Sequence, residues 1–467
     1  MTISHIDSLS RRNFLNSCGI GFGGIALASM LNDDLGAAPL KTHFEPKAKH
    51  VIYLHMIGAP SQLDMYDEKP ELVKRHNQPC PAEVTKDRDF AFIGKTSTLG
   101  GSPWKFKKHG ESGQVLSELL PNLGEVADEL AIMRSVHTDE INHAPAQMML
   151  HSGFGQGGRP SFGSWVNYGL GSENKDMPGY VVLLSGPAGG AGASLWSSGF
   201  LPSVHQGIQF RSQGDAVLFL SNPEGHSQAD RRRVLDTLGQ LNQQQLEVTG
   251  DPEIETRIKQ YEMAYRMQTS VPELMSIDNE TKETIELYGA QPGKASFANN
   301  CLLARRMVES GVRLIELYDA DWDHHGGIET SLPKKCKEID QPIAALIKDL
   351  KRRDLLKDTL IIWGSEFGRT PLQQGAKPNN KGLTGRDHHK DAYTMWMAGG
   401  GVKGGTSYGQ SDDFGMDVAE NGVHVHDLNA TMLHLLGIDH LRLTYRYQGR
   451  EFRLTDVHGN VIKDILA

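Results

Sequence analysis

The stretch ANNCLLARRMVESGVRLIELYDADWDHHGG, residues 298–327, passes from a helical pattern through an apolar run into a polar cluster. ANNCLLARRMVESG predicts an amphipathic helix, and VRLIELY predicts a buried strand. The segment from Tyr318 to Gly327, which begins at the end of that strand, contains three aspartates and two histidines. Such a density of carboxylate and imidazole groups is typical of metal sites and catalytic loops.

The same alternation continues along most of the chain. The runs HVIYLHMIG, GYVVLLSG, DTLIIWG and YTMWMAGG predict strands, and a further strand is expected at residues 130–135. Helices are predicted from about Ser117, from about Asn142 to Gly153, over IDQPIAALIKDLKRRDLL and over HDLNATMLHLLGI. Strands alternating with helices favour an α/β fold, with a mainly parallel central sheet in a three-layer α/β/α arrangement. We expect one domain over residues 49–467, with a helical insertion at about 225–288.

The N-terminal segment SRRNFLNSCGIGFGGIALASM is typical of a bacterial export signal. The twin arginine, Arg11 and Arg12, precedes a glycine-rich apolar run, and small residues near Ala38 suit cleavage. We expect residues 1–38 to direct export by the twin-arginine route to the periplasm or cell envelope. No integral membrane span is expected after removal of the signal, because the run is short and rich in glycine.

Composition excludes several classes of partner and site. The 467 residues carry a formal net charge of -9, which gives no reason to expect nucleic acid as a partner. The four cysteines, Cys18, Cys80, Cys301 and Cys336, include no C-x-x-C pair, so thiolate zinc sites are not expected. With Cys18 in the signal, three would remain, and no disulfide framework is predicted.

Polar side chains follow several predicted strands. Because ligands of parallel α/β sheets lie at the carboxyl ends of the strands, these groups predict one shared site. Carboxylate and imidazole ligands together suit zinc, manganese or iron, whereas oxygen ligands alone would suit magnesium or calcium. The groups are Ser61, Asp64 and Asp67; His137, Thr138, Asp139, Asn142 and His143; Asp319, Asp321, Asp323, His324 and His325; Ser365 and Glu366; and Asp387, His388, His389 and Asp391.

Each of these groups also has a structural interpretation. Asp321, Asp323 and His325 could cap a turn, and Thr138 could cap a helix. Glu366 could pair with Arg369, and His388 could pair with Asp387 in a turn. His424 and His426 precede the last helix, where Asp427 is expected as the N-cap. The number of strand ends that carry such groups favours one shared site over independent turns.

The order of these motifs resembles a family of uncharacterised bacterial proteins. GAPSQLDMYDEKP, LLARRMVESGVRLIEL, WDHHGG, WGSEFGRTP and AGGGVKGGTSYGQSD carry the resemblance, which extends from about Lys49 to Leu443. Members are exported by the twin-arginine route and are often grouped with sulfatase-like proteins. The family is similar to the alkaline phosphatase-like superfamily, which implies that fold and a two-metal hydrolase of phosphate or sulfate esters.

The resemblance also implies roles for single residues. It implies Thr138 as the nucleophile and Asn142 as its aid at the ester oxygens. It implies metal ligation by Asp64, by Asp321 or Asp323 together with His325, by Glu366 and by His388. Zinc is the expected cation, with manganese, iron or calcium as alternatives. From their chemistry alone, Arg369 and Arg386 are candidates for holding a tetrahedral oxyanion.

The sequence departs from the superfamily in ways that bear on the metal site. Phe367 stands where the superfamily has a metal-binding histidine, and a phenyl ring cannot bind a metal. The segment MIGAPSQL separates the first strand from Asp64. Thr138 lies one residue further from Asn142 than the corresponding residues in the pyrophosphatase branch of the superfamily. Cys80 lies in CPAEV without the arginine of a formylglycine motif, which argues against sulfatase chemistry of that kind.

Two hypotheses follow from the sequence. The first is an exported metal-dependent hydrolase acting on a small-molecule or polysaccharide ester of phosphate or sulfate. The alternative is a catalytically inactive envelope or binding protein on the same fold, which the replacement at Phe367 motivates. The oligomeric state is left open, as is whether the helical block shapes substrate access or a partner surface.

Overall fold

The computed structural model describes residues 42–467 except 87, 89, 95–96, 175, 212–215, 218–221, 223–224, 226 and 376–381, together with some side chains between 252 and 260. The predicted export signal, with Arg11, Arg12, Cys18 and the cleavage site near Ala38, lies outside the described residues. Within the described residues, no helix has both the length and the apolar character of a membrane span.

The described strands are numbered along the chain. They are β1 (His50–Met56), β2 (Phe106–His109), β3 (Gln114–Ser117), β4 (Leu130–His137), β5 (Tyr180–Ser185), β6 (Ile208–Phe210), β7 (Leu314–Asp319), β8 (Thr359–Gly364), β9 (Gly368–Gln373), β10 (Arg386–His389), β11 (Tyr393–Ala398), β12 (Ser407–Tyr408), β13 (Gln410–Ser411), β14 (Val418–Glu420), β15 (Val423–His424), β16 (Tyr445–Tyr447) and β17 (Arg450–Phe452).

The described α-helices are numbered in the same way. They are α1 (Gln62–Met65), α2 (Pro70–Lys74), α3 (Ala82–Thr85), α4 (Pro121–Gly124), α5 (His143–Ser152), α6 (Phe162–Leu170), α7 (Gln228–Thr249), α8 (Pro252–Met275), α9 (Lys282–Tyr288), α10 (Phe297–Glu309), α11 (Ile328–Arg352) and α12 (Val425–Leu435).

Nine of the described strands form one mixed sheet. Its spatial order is β12-β4-β11-β8-β1-β7-β5-β6, and β15 also pairs with β4. β1 runs parallel to β7 and β8, and β5 runs parallel to β7. β11 is antiparallel to both β4 and β8, so β4 runs in the same direction as β8. The carboxyl ends of β1, β4, β5, β7 and β8 therefore meet at one edge, as predicted for an α/β fold.

The central strands form because both of their faces are buried. Alternate residues of β1 enter different apolar clusters: Ile52 and Leu54 pack with α10 and α11, and Val51 and Tyr53 pack with α5, α6 and α12. A strand buried on both sides has a continuous apolar sequence, which is why VIYLHM predicts β1. Each such side chain stabilises the fold by roughly 1.5–3 kcal/mol when fully buried.

Three segments differ from the prediction. No long helix begins at Ser117; β2 and β3 form a ribbon instead, and α4 spans only Pro121–Gly124. GRDHH, which no predicted strand includes, contains β10, and β10 pairs antiparallel with β9. α11 begins at Ile328, earlier than predicted, because an apolar stripe continues through its first turns despite Pro333.

The polar block at about 225–288 contains α7, α8 and α9. A capping box between Ser227 and Asp230 begins α7, and Gly250 with a φ of 60° ends it. α7 packs on α8, and the bond of 2.9 Å from Arg232 to Glu262 joins them. The end of α8 enters the core through residues such as Val271, whereas α7 has one buried side chain, Leu235.

Candidate metal centre

Four side chains of metal-ligating type meet beyond the carboxyl edge of the sheet: His143, Asp323, His325 and His388. One ligand atom from each lies within 4.8 Å of the others. His143 begins α5 after β4, Asp323 and His325 lie in the loop after β7, and His388 lies on β10. The sheet topology therefore brings three separate chain segments to one point.

His388 and His325 present their Nε2 atoms to each other. His388 Nδ1 donates a hydrogen bond of 2.8 Å to the carbonyl of Ile141, which can only accept. His325 Nδ1 lies 2.5 Å from Oε1 of Gln374, a second acceptor. Neutral rings bound in this way carry lone pairs on Nε2, and the two Nε2 atoms are 3.1 Å apart. Lone pairs at this distance repel, and a cation between them would convert the repulsion into ligation.

The third imidazole, His143, is held by Glu366. Its Nδ1 donates a hydrogen bond of 2.6 Å to Oε1 of Glu366, and its Nε2 lies 3.4 Å from Oδ2 of Asp323. Among the described residues, this buried Nε2 has no hydrogen bond of good geometry. Burial alone would lower the pKa of His143, but the interactions with Asp323 and Glu366 raise it to about 9. A carboxylate behind a ligating imidazole fixes the ring and raises its basicity.

Glu366, predicted as a ligand, instead contacts the Nδ1 side of His143, away from the ligand atoms. It is fully buried, and its oxygens accept hydrogen bonds from Gly58 N at 3.0 Å and Ser365 Oγ at 2.6 Å. His55 Nε2 is 3.3 Å from Oε2. Burial would raise the pKa of Glu366, but hydrogen bonds from His143 and His55 hold it well below its usual range. Glu366 is therefore an orienting carboxylate for His143.

Asp323 faces all three imidazoles. Its Oδ1 lies 2.9 Å from Nε2 of His325 and 3.6 Å from Nε2 of His388. Burial would raise the pKa of Asp323, but the nearby imidazoles of His143, His325 and His388 and the charge of Arg369 hold it well below its usual range. The side chain is 42% exposed, so the centre is open to solvent on this side.

Arg369, a candidate for holding a tetrahedral oxyanion, instead forms hydrogen bonds to the loops around the centre. Its Nη2 donates to Oδ1 of Asp323 at 2.5 Å and to the carbonyl of Gly58. Its Nε donates to Ala59 O at 2.8 Å and its Nη1 to Arg386 O at 3.2 Å. The side chain is 1% exposed, and every guanidinium nitrogen has a protein acceptor. Arg369 is thus committed to the fold and does not face the opening.

Asp64 and Arg386 form a buried pair outside the ligand group. Asp64 accepts from Nε of Arg386 at 2.8 Å and from its Nη2 at 3.1 Å, and both residues are fully buried. Ser61 and Thr370 bind the remaining polar atoms. The long segment after β1 carries Asp64 into α1, away from the ligands. Asp64 therefore neutralises Arg386 rather than ligating a metal.

The aspartates of the opening stretch have three different roles. Asp319 anchors the loop, since it accepts bonds of 2.8 Å from Trp322 Nε1 and Lys335 Nζ. Asp321 is exposed, with a φ of 70°, and lies outside the ligand group. His324 is buried and lies outside the ligand group, and burial lowers its pKa to about 4. Of the two predicted alternatives, Asp323 is the one beside His325.

Two phenylalanines line the centre. Phe367 stacks on His143 with ring centroids 4.9 Å apart and lies 4.8 Å from His388. The phenyl ring of Phe367 therefore fills the space beside His143 and His388. Phe92 lies edge-on to His325 at 5.0 Å and to His388 at 5.3 Å, and it is 64% exposed. Its exposed ring forms an apolar part of the solvent-facing opening of the centre.

The two other predicted catalytic residues flank the centre. Thr138 is buried, its backbone nitrogen donates to Lys390 O at 3.0 Å, and its hydroxyl has no hydrogen-bond partner among the described residues. No hydrogen bond in the described chain links that hydroxyl to the four ligands. Asn142 is the N-cap residue of α5, immediately before His143, and its exposed side chain does not cap the helix.

His143 is not among the ligands predicted from the sequence and was expected only as one of the polar residues that follow β4. The available signal was its position as the first residue of a helix that follows a central strand. Gln374, which anchors His325, lies on no predicted strand end and gave no signal.

The donor set fits a divalent transition-metal cation. Three imidazole nitrogens and one carboxylate suit zinc, manganese or iron, whereas calcium prefers oxygen ligands. A cation at this point would also give a partner to the buried Nε2 of His143 and relieve the close approach of His325 and His388.

Comparisons with solved structures give only low similarity. The chain is similar to the lipoteichoic acid synthase LtaP from Listeria monocytogenes (TM-score 0.37, 11% identity, 91% of this chain and 80% of that chain). It is also similar to the PsFucS1 sulfatase from Pseudoalteromonas sp. (0.35, 13%, 89% and 70%). A third is the alkaline phosphatase from the Antarctic bacterium TAB5 (0.34, 11%, 84% and 98%). Likeness at these scores carries no argument about activity.

Sequence comparison gives a definite family without a function. No curated protein matches the chain. The profile of one family, described as proteins of unknown function (DUF1501), matches residues 48–466. The match covers the sheet and all four candidate ligands of the centre. The chain belongs to the DUF1501 family.

Proposed function

We propose that this protein is an exported metal-dependent hydrolase of phosphate or sulfate esters. One observation carries the proposal: three imidazoles with anchored Nδ1 atoms converge through Nε2 on one carboxylate at the carboxyl edge of an α/β sheet. The motif resemblance supplies the ester class. We further propose the alkaline phosphatase-like three-layer arrangement, the helical insertion at about 225–288 and a periplasmic or envelope location.

The residues of the centre divide the work of binding and orientation. A bound cation would polarise an ester oxygen and make a water molecule more acidic. His143, His325 and His388 need no rotation of their rings, because each Nδ1 is already bound, and a cation would take the place of the proton on Nε2 of His143. Glu366 keeps the imidazole of His143 in the required tautomer. The open side at Asp323 is where an ester can enter.

Few groups near the centre can stabilise the negative charge of the ester oxygens. Arg369 and Arg386 are committed to protein acceptors, so neither guanidinium faces the mouth. The partial positive charge at the N-terminus of α5, beside Asn142, lies next to the ligand His143. We propose that the cation and this helix end meet the ester oxygens, with Asn142 as an added donor and Thr138 as the candidate nucleophile.

Coordination number separates this proposal from its alternative. Four protein ligands complete a tetrahedral zinc site of the structural kind. Catalysis then needs a cation that accepts a fifth ligand, such as manganese or iron, or zinc in expanded coordination. A closed tetrahedral site would favour the second candidate, an inactive binding protein, which the packing of Phe367 on His143 also favours.

The test measures metal content, coordination and turnover together. The chain, purified without chelators, should contain one metal equivalent, and His388→Ala should lose it. Cobalt substitution should give a visible spectrum that changes when phosphate or sulfate is added, because a fifth position is open. Hydrolysis of aryl phosphate or aryl sulfate probes should follow metal content. A cobalt spectrum insensitive to anions, without turnover, would support the binding protein. Absence of metal after reconstitution would refute the hydrolase and also support the binding protein.

A further inference from the structure

Helix α7 carries an apolar stripe that the described chain leaves uncovered. Val234, Leu241 and Val248 recur at seven-residue spacing and are 57%, 55% and 74% exposed. With Leu238 they follow the spacing of a helix–helix seam. Leu235, one position away, is 8% exposed. One face of α7 is thus used within the fold, and an adjacent face is not.

A cavity lies at one end of this stripe. It has a volume of about 350 Å³ and is lined mainly by apolar side chains of Val234, Leu235, Leu238 and Tyr261. Val248, the most exposed large apolar side chain among the described residues, lies at the other end. Fourteen residues of helix separate Val234 from Val248, or roughly 21 Å. A cavity and a projecting side chain at opposite ends of one stripe are complementary to each other.

We propose that α7 forms a symmetric interface with a second copy of this chain, in which two α7 helices pack antiparallel about Leu241. A two-fold interface must be complementary to itself, and this stripe has that property. Val248 of one copy lies opposite Val234 and the cavity of the other, and Leu241 meets Leu241 on the axis. A parallel arrangement would instead leave the cavity of each copy without a side chain to fill it.

The interface is expected to be weak and concentration-dependent. One pair of helices of this length, with Tyr261 of α8 at its margin, falls toward the low end of the roughly 1,200–2,000 Å² of specific interfaces. Three apolar layers are enough for reversible association. The proposal does not rest on hydrolase activity.

Sedimentation velocity over a range of protein concentrations tests the association. The purified chain should pass from monomer to dimer as concentration rises. Leu241→Lys places like charges on the two-fold axis and should weaken dimerisation by roughly a hundredfold or more. Gln243→Lys, on the far side of α7, is the matched control and should dimerise like the parent. Because both positions are exposed, thermal unfolding should be unchanged in both variants.

Disulfide trapping tests the antiparallel register. Leu241→Cys should form a disulfide-linked dimer under mild oxidation. Val234→Cys and Val248→Cys should each crosslink weakly alone and strongly when mixed, with the parent chain as background for its own cysteines. A chain that stays monomeric at all concentrations, a dimer indifferent to Leu241→Lys, or crosslinks of Val234→Cys with itself would each overturn the proposal.

Discussion

Replacing Glu366 by glutamine distinguishes a metal ligand from a residue that orients one. Glutamine has nearly the shape of glutamate and can accept from Gly58 N and His143 Nδ1 through its oxygen, while its amide donates to Ser365. The fold is therefore expected to survive. What is lost is the negative charge behind the His143 imidazole.

The size of the effect follows from the contacts of Glu366. Of its hydrogen-bond partners, His143 alone is a member of the ligand group. One charge-assisted hydrogen bond contributes about 1.5–3 kcal/mol. Its loss corresponds to a roughly 10–150-fold larger dissociation constant for the metal. This agrees with the roughly 10–100-fold cost of losing a partner behind a ligating histidine.

Competition with a chromophoric chelator measures the dissociation constant directly. Asp340→Asn is the matched control, since Asp340 is a buried carboxylate that accepts from Asn122 and Leu123 away from the centre. The control should bind metal like the parent. A Glu366→Gln protein that binds no metal would mean that Glu366 is itself a ligand. An unchanged constant would refute the orienting role.

Three further predictions concern the surroundings of the centre. Gly58→Ala should weaken metal binding, because the added methyl would lie 2.6 Å from the backbone nitrogen of Asp323 and Gly58 has a φ of 108°; an unchanged chelator titration would contradict this. Asp64→Ala leaves Arg386 buried and unpaired and should cost about 3–5 kcal/mol of unfolding free energy by denaturant titration; a loss of metal without a loss of stability would contradict the structural role. Burial lowers the pKa of His426 to about 4, so the unfolded chain binds more protons and stability should fall as pH drops from 6.5 toward 4, by roughly 2–4 kcal/mol. His426→Gln should flatten that part of the stability profile.

The central fold is predictable from the sequence because its strands are buried on both faces. Continuous apolar runs such as those of β1 and β7 leave few alternatives. The ribbon of β9 and β10 is different, since its strands carry Arg369, Arg386 and His388. Those polar side chains are buried only through partners distant in sequence, so local pattern predicts a loop there.

The candidate site is predictable in part for a related reason. Asp323, His325 and His388 stand in short polar segments near strand ends, where the topology of an α/β sheet places ligands. The sequence alone does not determine whether a carboxylate faces the metal centre or instead pairs with a buried arginine. Asp64 and Glu366 were therefore expected among the ligands, although one neutralises Arg386 and the other holds His143.

The spacing of the ligands along the chain affects when a cation can bind during folding. Asp323 and His325 are near neighbours, but His388 lies 63 residues beyond His325, and His143 lies 180 residues before Asp323. An unfolded chain thus offers a two-donor fragment, because loop-closure entropy opposes recruitment of the rest. Full affinity exists only after β4, β7 and β10 have assembled. A cation captured at this centre would act as a cross-link between distant segments and would select the completed fold over every partly folded state.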